Sequence, residues 1–417
     1  MPTSVGPNTF GEENLVFAFD TGDTVNSYKG EPTENLFPEP NYTSTDGQVV
    51  DHIVFTRKLG QGYNGLDSLE GVVSSSYVSG QIERRWSINL APGFYTHTFY
   101  VKKNCNFKRI EHLGTAQLTS AGAVQQQFSV NATAGTVNPS SGFTDYDIED
   151  AGDWWKVWYV IEISGSGNAI FDYEPDYGIG NRFEFCGSQI EAKTHPTPFT
   201  AGTRSATQGL LDLTGNTTLN LSNVSFDSNA QMEFDGSDDR VTDIGPVHSR
   251  LSSSATETVF KAESLPSSLF AMVFGYKHVG GNYSRFVTAP IALNSSGKLH
   301  SSVITTSETY REVESTTVIS TGQYYHVVLN KDAVAGKLEL YINGVLESST
   351  TFDASTYGYW ASGYQGTDYL EIGGLVTSYT WDKFLDGSVP MGKLYSRTLT
   401  ASEVKSNFNA IKGRFNI

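Results

Sequence analysis

The sequence predicts an all-β protein of two β-sandwich domains with one short C-terminal helix. Three observations favour this fold class. The 417 residues include 41 Gly, 22 Tyr and 24 Phe, a composition that favours strands and turns over long helices. Short runs of alternating apolar residues recur along the chain and are bounded by Gly, Pro and Asn. The length is also comfortable for two domains.

The first predicted strand is LVFAFD, where Leu15, Phe17 and Phe19 alternate with the residues between them. The following Thr-Gly-Asp turns the chain. No matching strand follows at once, because residues 32–40 contain three prolines. The pairing partner of this strand must therefore lie far along the sequence.

Two strand-rich regions follow. The first, at about residues 41–200, contains runs such as YTHTFYVKK and DWWKVWYVIEI and predicts a β-sandwich. The segment THPTPFTAGT at 194–203 is interpreted as a linker, since it is rich in Pro, Thr and Gly. The second region, at about 204–417, contains a further set of alternating runs.

The second region carries the clearest local signals. In KLELYINGVLES, the dipeptide Asn343-Gly344 predicts a two-residue hairpin. Alternation places Leu338, Leu340 and Ile342 on a buried face and Glu339, Tyr341 and Asn343 on a solvated one. Near the C-terminus, Thr400 and Glu403 form a capping box, with apolar residues at helical spacing and Gly413 as the expected C-cap. The apolar residues of this helix are Val404, Phe408 and Ile411.

The formal net charge is −17. Nucleic-acid binding needs clustered Lys and Arg, so we expect no nucleic-acid partner. No apolar stretch is long enough to span a membrane, and the first residues lack the features of a signal peptide, so we expect neither membrane insertion nor secretion. The acidity suits solubility and also the binding of cations.

The sequence contains two cysteines, Cys105 and Cys186, each within a predicted strand. The simpler interpretation is two buried free thiols. A disulfide between neighbouring strands stays open, because sequence does not give the distance between them.

Parts of the second region resemble the concanavalin A-like, laminin-G-type jelly rolls. The segments are FDGSDDRV, YYHVVLNKDAVAGKLELYINGVLE, YLEIGG and FLDGSVPMGKLYSRTLTASEVKSNF. The closing SNFNAIKGRF resembles the end of such domains in bacteriophage structural proteins. Those domains open with a strand like residues 15–20, soon followed by a segment like LLDLTGNTTL, here at 210–219.

This resemblance implies that an inserted domain separates the first strand from the rest of its sandwich. We expect residues 14–30 to pair near residues 391–397. The expected division is 1–31 as leader and first strand, 32–200 as the inserted sandwich and 201–417 as the laminin-G-like sandwich. A plain tandem arrangement is the alternative.

The inserted region resembles the carbohydrate-binding-module-like jelly rolls of phage tail and appendage proteins. The resemblance is carried by RRWSINLAPGFYTHTFYVKKN, DWWKVWYVIEIS and FEFCGSQIEAKTHPTPFTAGT. One departure is Cys186, where such domains often have Trp. Together the two resemblances cover nearly the whole chain, but these folds host many functions and do not fix a ligand.

The run DWWKVWYVIEI offers candidate sugar-binding residues. Strand alternation places Trp155 with the core residues and Trp154 and Trp158 on the other face, about 13 Å apart. Exposed flat rings stack on the apolar faces of sugars. The alternative is burial within the fold or an oligomer interface.

The run FDGSDDRV offers a candidate calcium site. Asp235, Asp238 and Asp239 gather three carboxylates in one turn, and calcium binds six to eight oxygen ligands. Laminin-G-type domains often carry calcium at a loop edge. Asp386 is a weaker candidate. The alternative is an Asp-rich turn without an ion.

Catalytic motifs are not apparent, so we expect no enzymatic activity. The favoured hypothesis is a bacteriophage virion protein, assembled in the host cytoplasm, that displays jelly rolls on a tail appendage or capsid surface. Its expected partners are other virion proteins, host surface polysaccharide and further copies of itself. A purely structural decoration protein is the alternative, and a polysaccharide-degrading enzyme with two carboxyls about 5–10 Å apart is a third hypothesis.

Overall fold

The structure is a computed structural model, and two compact units are distinguished in it. Unit 1 comprises residues 1–32 and 205–417, and unit 2 comprises residues 33–204. The boundaries expected from the sequence were 31/32 and 200/201. The residues that the structure describes are 13–40, 42, 48–49, 53–74, 84–114, 126–176, 178–221, 223–228, 230–243, 253–267, 270–279, 291–304, 310–354, 367–375 and 383–417. Residues 1–12 of the expected leader lie outside them.

The described chain is built mainly of strands, which confirms the all-β fold class. The strands up to residue 204 are β1 (Leu15–Asp20), β2 (Thr33–Glu34), β3 (Gln48–Val49), β4 (Ile53–Lys58), β5 (Ser68–Val73), β6 (Arg84–Leu90), β7 (Gly93–Lys102), β8 (Phe107–Gly114), β9 (Gln126–Asn131), β10 (Thr136–Pro139), β11 (Phe143–Ala151), β12 (Trp154–Ile163), β13 (Gly167–Pro175), β14 (Arg182–Glu191) and β15 (Thr203–Arg204).

The later strands belong to unit 1, and the helix α1 (Ala401–Phe415) follows them. These strands are β16 (Leu219–Asn220), β17 (Ser225–Phe226), β18 (Met232–Asp235), β19 (Val241–Asp243), β20 (Ser254–Ala262), β21 (Phe270–Val279), β22 (Ile291–Asn294), β23 (Lys298–Ile304), β24 (Tyr310–Val318), β25 (Tyr324–Asp332), β26 (Lys337–Ile342), β27 (Val345–Thr351), β28 (Thr367–Ile372), β29 (Gly374–Leu375), β30 (Lys383–Phe384) and β31 (Asp386–Tyr395).

Unit 1 is a sandwich of two large sheets. One has the order β17-β18-β31-β20-β25-β26-β27, with β1 also paired to β31, and the other has the order β16-β19-β28-β21-β22-β23-β24. Apolar side chains from both sheets meet in one core. Phe17 and Val327 contribute from the first sheet, and Phe274 and Leu370 from the second. Each is nearly inaccessible to solvent, as expected for the buried face of a half-buried strand.

The partner of the first strand is the last strand. β1 runs antiparallel to β31, with Leu15 opposite Tyr395 and Asp20 opposite Met391. This is the pairing expected from the sequence. The chain therefore returns to its first strand after all the strands of unit 2 and most of those of unit 1.

The predicted hairpin is confirmed. Asn343 and Gly344 join β26 to β27 with φ angles of 50° and 76°, as a type I′ turn requires. Leu338, Leu340 and Ile342 are buried as predicted. The expectation of a solvated opposite face is wrong at Tyr341, which is 5% exposed, because it packs in a small apolar cluster with residues of the C-terminal segment.

The C-terminal helix is also confirmed, with one correction. Thr400 and Glu403 form the capping box, and the three predicted apolar residues are buried. The helix does not end at Gly413. It continues to Phe415, and the left-handed C-cap is Asn416. The last residues are held by tertiary contacts: Arg414 binds Asp20, and the Phe415 ring lies 5.2 Å from that of Tyr324.

Unit 2 is a second sandwich. Its sheets have the orders β10-β9-β8-β13-β6-β3 and β11-β12-β7-β14-β5-β4. The core between them is strongly aromatic and includes Phe99, Phe128, Tyr159 and Phe171. A short pair, β2 with β15, joins the two ends of the unit.

Two expectations about unit 2 are wrong. The segment 194–203, interpreted as a linker between the two regions, belongs to unit 2. Thr197 is 3% exposed, and its hydroxyl donates to Glu191 at the end of β14. Cys105 lies in the turn after β7 and not within a strand. Both cysteines are free, with Cys186 buried in β14 and Cys105 only partly buried.

Among the described residues, no helix combines the length and the apolar character needed to cross a membrane.

Candidate functional site

The three predicted metal-ligating aspartates meet at one edge of unit 1. Asp235 ends β18, and Asp238 and Asp239 lie in the turn that leads to β19. One carboxylate oxygen from each lies within 4.8 Å of the other two. Asp235 and Asp238 are exposed, whereas Asp239 is buried. The sequence therefore identified a cluster that the fold does assemble.

Local hydrogen bonds shape this turn. The Asp235 carboxylate accepts the Ser237 N–H at 2.8 Å, and the Asp239 carboxylate accepts the Asp235 N–H at 2.9 Å. Between them, Gly236 has a φ angle of 77°, and a Cβ atom there would lie 3.1 Å from Cβ of Asp386. Glycine at this position both allows the left-handed turn and leaves room for the neighbouring strand.

The electrostatics of the cluster favour a positive charge. Burial raises the pKa of the Asp239 carboxyl, and the nearby Asp235 carboxylate raises it further, while hydrogen bonds from Ser225 and from the Asp235 N–H oppose the rise. A bound cation would favour the ionised form of the carboxyl. Calcium–oxygen distances are about 2.3–2.6 Å, so two oxygens on one ion lie up to about 5 Å apart. The three carboxylates therefore fit a shared calcium ion.

A cleft of about 500 Å³ opens beside the cluster. Asp235 lies directly opposite Asp386 in the pairing of β18 with β31, so the weaker sequence candidate is a neighbour of the main ones. The residues around the cleft are Asp235, Gly236, Ser237, Ser264, Leu265, Pro266, Ser267, Ala271, Phe384 and Asp386. Carboxylates, hydroxyls and the exposed Leu265 side chain all line the cleft, a combination that suits a ligand with both hydroxyl groups and apolar faces.

No sequence pattern indicated most of the residues that line this cleft. Residues 264–267 follow β20, whereas Phe384 and Asp386 belong to β30 and β31. They meet only because β20 and β31 are neighbours in the sheet. The serines and Pro266 read as an ordinary loop, so the sequence contained no signal that linked them to the aspartates.

The two candidate tryptophans lie in unit 2 and differ in exposure. Trp154 is 4% exposed, and the Lys102 ammonium lies 4.9 Å from the centre of its ring. It therefore does not offer an open face for a sugar. Trp158 is partly exposed, and its indole N–H donates to Glu149 at 3.2 Å. Sugar stacking by Trp158 stays a prediction.

A further aromatic residue, Tyr100, lies on the strand paired with that of Trp158. Trp158 and Lys156 of β12 face Thr98 and Tyr100 of β7 in the sheet register. The Tyr100 ring stacks on Tyr63, with centroids 4.2 Å apart and an angle of 14° between the planes. Alternation within YTHTFYVKK predicts which residues share a strand face with Tyr100. The register that places Tyr100 beside β12 depends on the tertiary structure and is not visible in the local sequence.

Comparison with known families supports the fold of unit 1. Residues 249–405 match the model of the concanavalin A-like lectin/glucanases superfamily, which covers less than half of the chain. The match agrees with the concanavalin A-like resemblance of this region. No curated protein sequence matches the chain.

The chain is also similar to solved β-sandwich structures. The Ruminococcus gnavus IT-sialidase CBM40 bound to alpha2,3 sialyllactose has 15% identity and a TM-score of 0.31, over 37% of this chain and 82% of that one. The botulinum neurotoxin serotype D binding domain has 12% identity and a TM-score of 0.35, over 48% and 49%. The SAP-like pentraxin from Limulus polyphemus has 14% and 0.32, over 42% and 78%.

The structures named above do not show a bacteriophage origin, so the origin expected from the sequence remains a proposal.

Proposed function

We propose that this protein is a non-catalytic glycan-binding protein whose unit 1 binds a polysaccharide with the help of calcium. The observation that carries the proposal is the group of Asp235, Asp238 and Asp239, of which Asp235 lines the cleft. When bound, the ion supplies a positive charge that ligand hydroxyls can coordinate. The residues of the chain supply the rest of the binding surface.

Each part of the cleft has a defined role in this proposal. The three aspartates hold the ion, and Asp386 adds a hydrogen-bond acceptor beside Asp235. Ser264 and Ser267 offer hydroxyls that donate or accept hydrogen bonds. Leu265, which is 38% exposed, offers an apolar surface for the C–H face of a sugar ring.

Unit 2 contributes a second surface in the same proposal. Of the two tryptophans predicted to bind sugar, Trp158 is the one whose ring is partly exposed. Glu149 fixes the ring by accepting its N–H, which lowers the entropy lost when a sugar stacks on it.

The biological setting that we propose is a bacteriophage particle. The second sandwich resembles domains of bacteriophage structural proteins, and the inserted one resembles domains of phage tail and appendage proteins. These resemblances support a structural protein that adheres to host surface glycans. Other virion proteins and further copies of the chain are its proposed partners. Sedimentation of the purified protein measures the self-association.

Calorimetric titration with CaCl2 tests the metal site itself. We expect one calcium ion per chain for the wild-type protein and no measurable heat of binding for Asp235→Asn/Asp239→Asn. Glu312→Gln is the matched control, because this side chain is 56% exposed and lies outside the cleft. Equal calcium binding by all three proteins would contradict the proposed site.

A further inference from the structure

Six polar side chains form one continuous series of hydrogen bonds across the aromatic core of unit 2. We call this series of side chains the core chain. In order, they are His112, Tyr159, His97, Tyr173, Ser188 and Tyr42. None is more than 6% exposed. Strands β8 and β13 of one sheet and β7, β12 and β14 of the other contribute the first five. The core chain therefore links the two sheets through the middle of the sandwich.

The contacts are short and continuous. The Tyr159 hydroxyl lies 2.6 Å from Nδ1 of His97 and 2.6 Å from Nε2 of His112. On the other side of the His97 ring, Nε2 lies 2.9 Å from the Tyr173 hydroxyl. Tyr173 continues to Ser188 at 2.7 Å, and Ser188 to the Tyr42 hydroxyl at 2.6 Å.

The number of hydrogens restricts the charge of the two imidazoles. A neutral imidazole has one N–H and one acceptor nitrogen, and a phenol has one hydrogen to donate. Tyr159 therefore donates to one histidine and accepts from the other. If both His97 and His112 were protonated, both nitrogens that face Tyr159 would carry hydrogens. The phenol hydrogen would then have no acceptor in the core chain.

The surroundings offer no compensation for a positive charge. The rings packed around the two imidazoles, within 6.0 Å between centroids, include Phe37, Phe99, Phe143 and Phe171. The titratable groups that face the imidazoles are His97 and His112 themselves, Tyr159 of β12 and Tyr173 of β13. Within the described part of the chain, no carboxylate or cation forms an ion pair with either ring.

Burial therefore keeps both imidazoles neutral. It lowers the pKa of His97 well below its usual range, with the neighbouring His112 as a second cause. It lowers the pKa of His112 to about 3. In an unfolded chain both imidazoles have a pKa of about 6.5. Below that pH the unfolded state binds two protons that the folded state does not, so acid favours unfolding.

We propose that the core chain makes unit 2 an acid-sensitive module, whose sandwich opens in mildly acidic surroundings while unit 1 stays folded. Unit 1 has a buried histidine of a different kind. Nε2 of His326 lies 2.9 Å from the Glu257 carboxylate, so that imidazole has a counter-ion within reach. The contrast between the two units provides an internal control.

Hydrogen exchange of the full-length protein, read by mass spectrometry and corrected for intrinsic rates, tests this proposal. Peptides from β7, β12 and β13 report on unit 2, and peptides from β20 and β25 report on unit 1. Between pH 6 and 4.5, we expect the opening constant of unit 2 to approach a rise of about 100-fold per pH unit, tenfold for each histidine. Most of this window lies above the pKa values of Asp and Glu in unfolded chains, which are about 3.9 and 4.3.

Variants separate the histidines from other groups. In His97→Gln/His112→Gln we expect the acid dependence of unit 2 to disappear, whereas the control His195→Gln, in the segment 194–203, keeps it. If the double variant does not fold, NMR titration of the wild-type imidazoles replaces it. The proposal is overturned if either core imidazole gains a proton above pH 5 while unit 2 remains folded, or if units 1 and 2 show the same acid dependence.

Discussion

Asp20 in the first strand and Arg414 in the last helix form a two-pronged ion pair, although 394 positions separate them. Both guanidinium NH2 groups lie 2.6 Å from the Asp20 oxygens. Asp20 is 1% exposed, so its charge has been removed from water and needs this partner. The pair therefore joins β1 to the C-terminal helix within unit 1.

Arg414→Ala is expected to destabilise unit 1 by about 2–4 kcal/mol, because it leaves a buried carboxylate without its counter-ion. Urea denaturation monitored by circular dichroism measures the change. Lys412→Ala is the matched control, since this residue is exposed on the same helical turn, and we expect a loss below about 0.5 kcal/mol. Equal losses for both variants would show that the ion pair contributes nothing specific.

Deletion of residues 33–204 is expected to leave a folded unit 1. In the β2–β15 pair, Thr33 lies opposite Arg204, and opposite residues of antiparallel strands are about 5 Å apart. A short Gly-Ser connection can therefore join Pro32 to Ser205. Cooperative thermal unfolding of the shortened protein is the expected result, and aggregated or non-cooperative material would argue against the insertion.

Asp243→Asn is expected to stabilise unit 1 at pH 7. Asp243 is buried and accepts the Leu370 N–H at 2.8 Å, and burial raises its pKa to about 6. The pKa of this carboxyl is higher in the folded state than in the unfolded state. The carboxyl therefore stabilises the fold at pH values below its unfolded pKa, and this contribution is lost as the pH rises through about 6. The amide keeps the acceptor without the charge, so we expect a gain of about 2–3 kcal/mol at pH 7.

This gain should vanish near pH 4, where the wild-type carboxyl is protonated. Unfolding curves at pH 4 and pH 7 measure both values. A gain of the same size at both pH values would mean that the charge of Asp243 is not its cause.

Trp154 and Trp158, the two candidate sugar-binding residues of β12, are expected to respond differently to truncation. Trp154→Ala should destabilise unit 2 by about 3–5 kcal/mol, because the ring is buried in the core. Trp158→Ala should cost less stability, because its ring is partly exposed, but should weaken glycan binding. Denaturation and binding assays on the same preparations measure both effects. Unchanged glycan binding by Trp158→Ala would remove this residue from the proposed surface.

Local sequence was sufficient for much of the fold. Alternation identified most strands, Asn343-Gly344 identified a hairpin, and Thr400 with Glu403 identified a helix start. These signals act over a few residues and do not depend on the rest of the molecule. The position of the helix end was not predictable, because Gly413 costs only about 1 kcal/mol in a helix and distant contacts of Arg414 offset it.

The site was predictable only in part. Three aspartates within five positions were visible as a cluster. The proximity of Asp386 to Asp235 depends on the pairing of β18 with β31, which no local pattern encodes. Likewise, alternation assigned Trp154 to the outer face of its strand, but the Lys102 side chain that lies over its ring comes from another strand.

If unit 1 binds a glycan through a calcium site at the cleft, binding must depend on both calcium and the aspartates. The most direct test is binding of the full-length protein to host-cell surface polysaccharide, with calcium and with a chelator. We predict saturable binding that chelation abolishes and that Asp235→Asn/Asp239→Asn lacks, while Glu312→Gln binds normally. Binding that survives both chelation and the double substitution, or no binding by the folded wild-type protein, would contradict calcium-dependent glycan binding by unit 1.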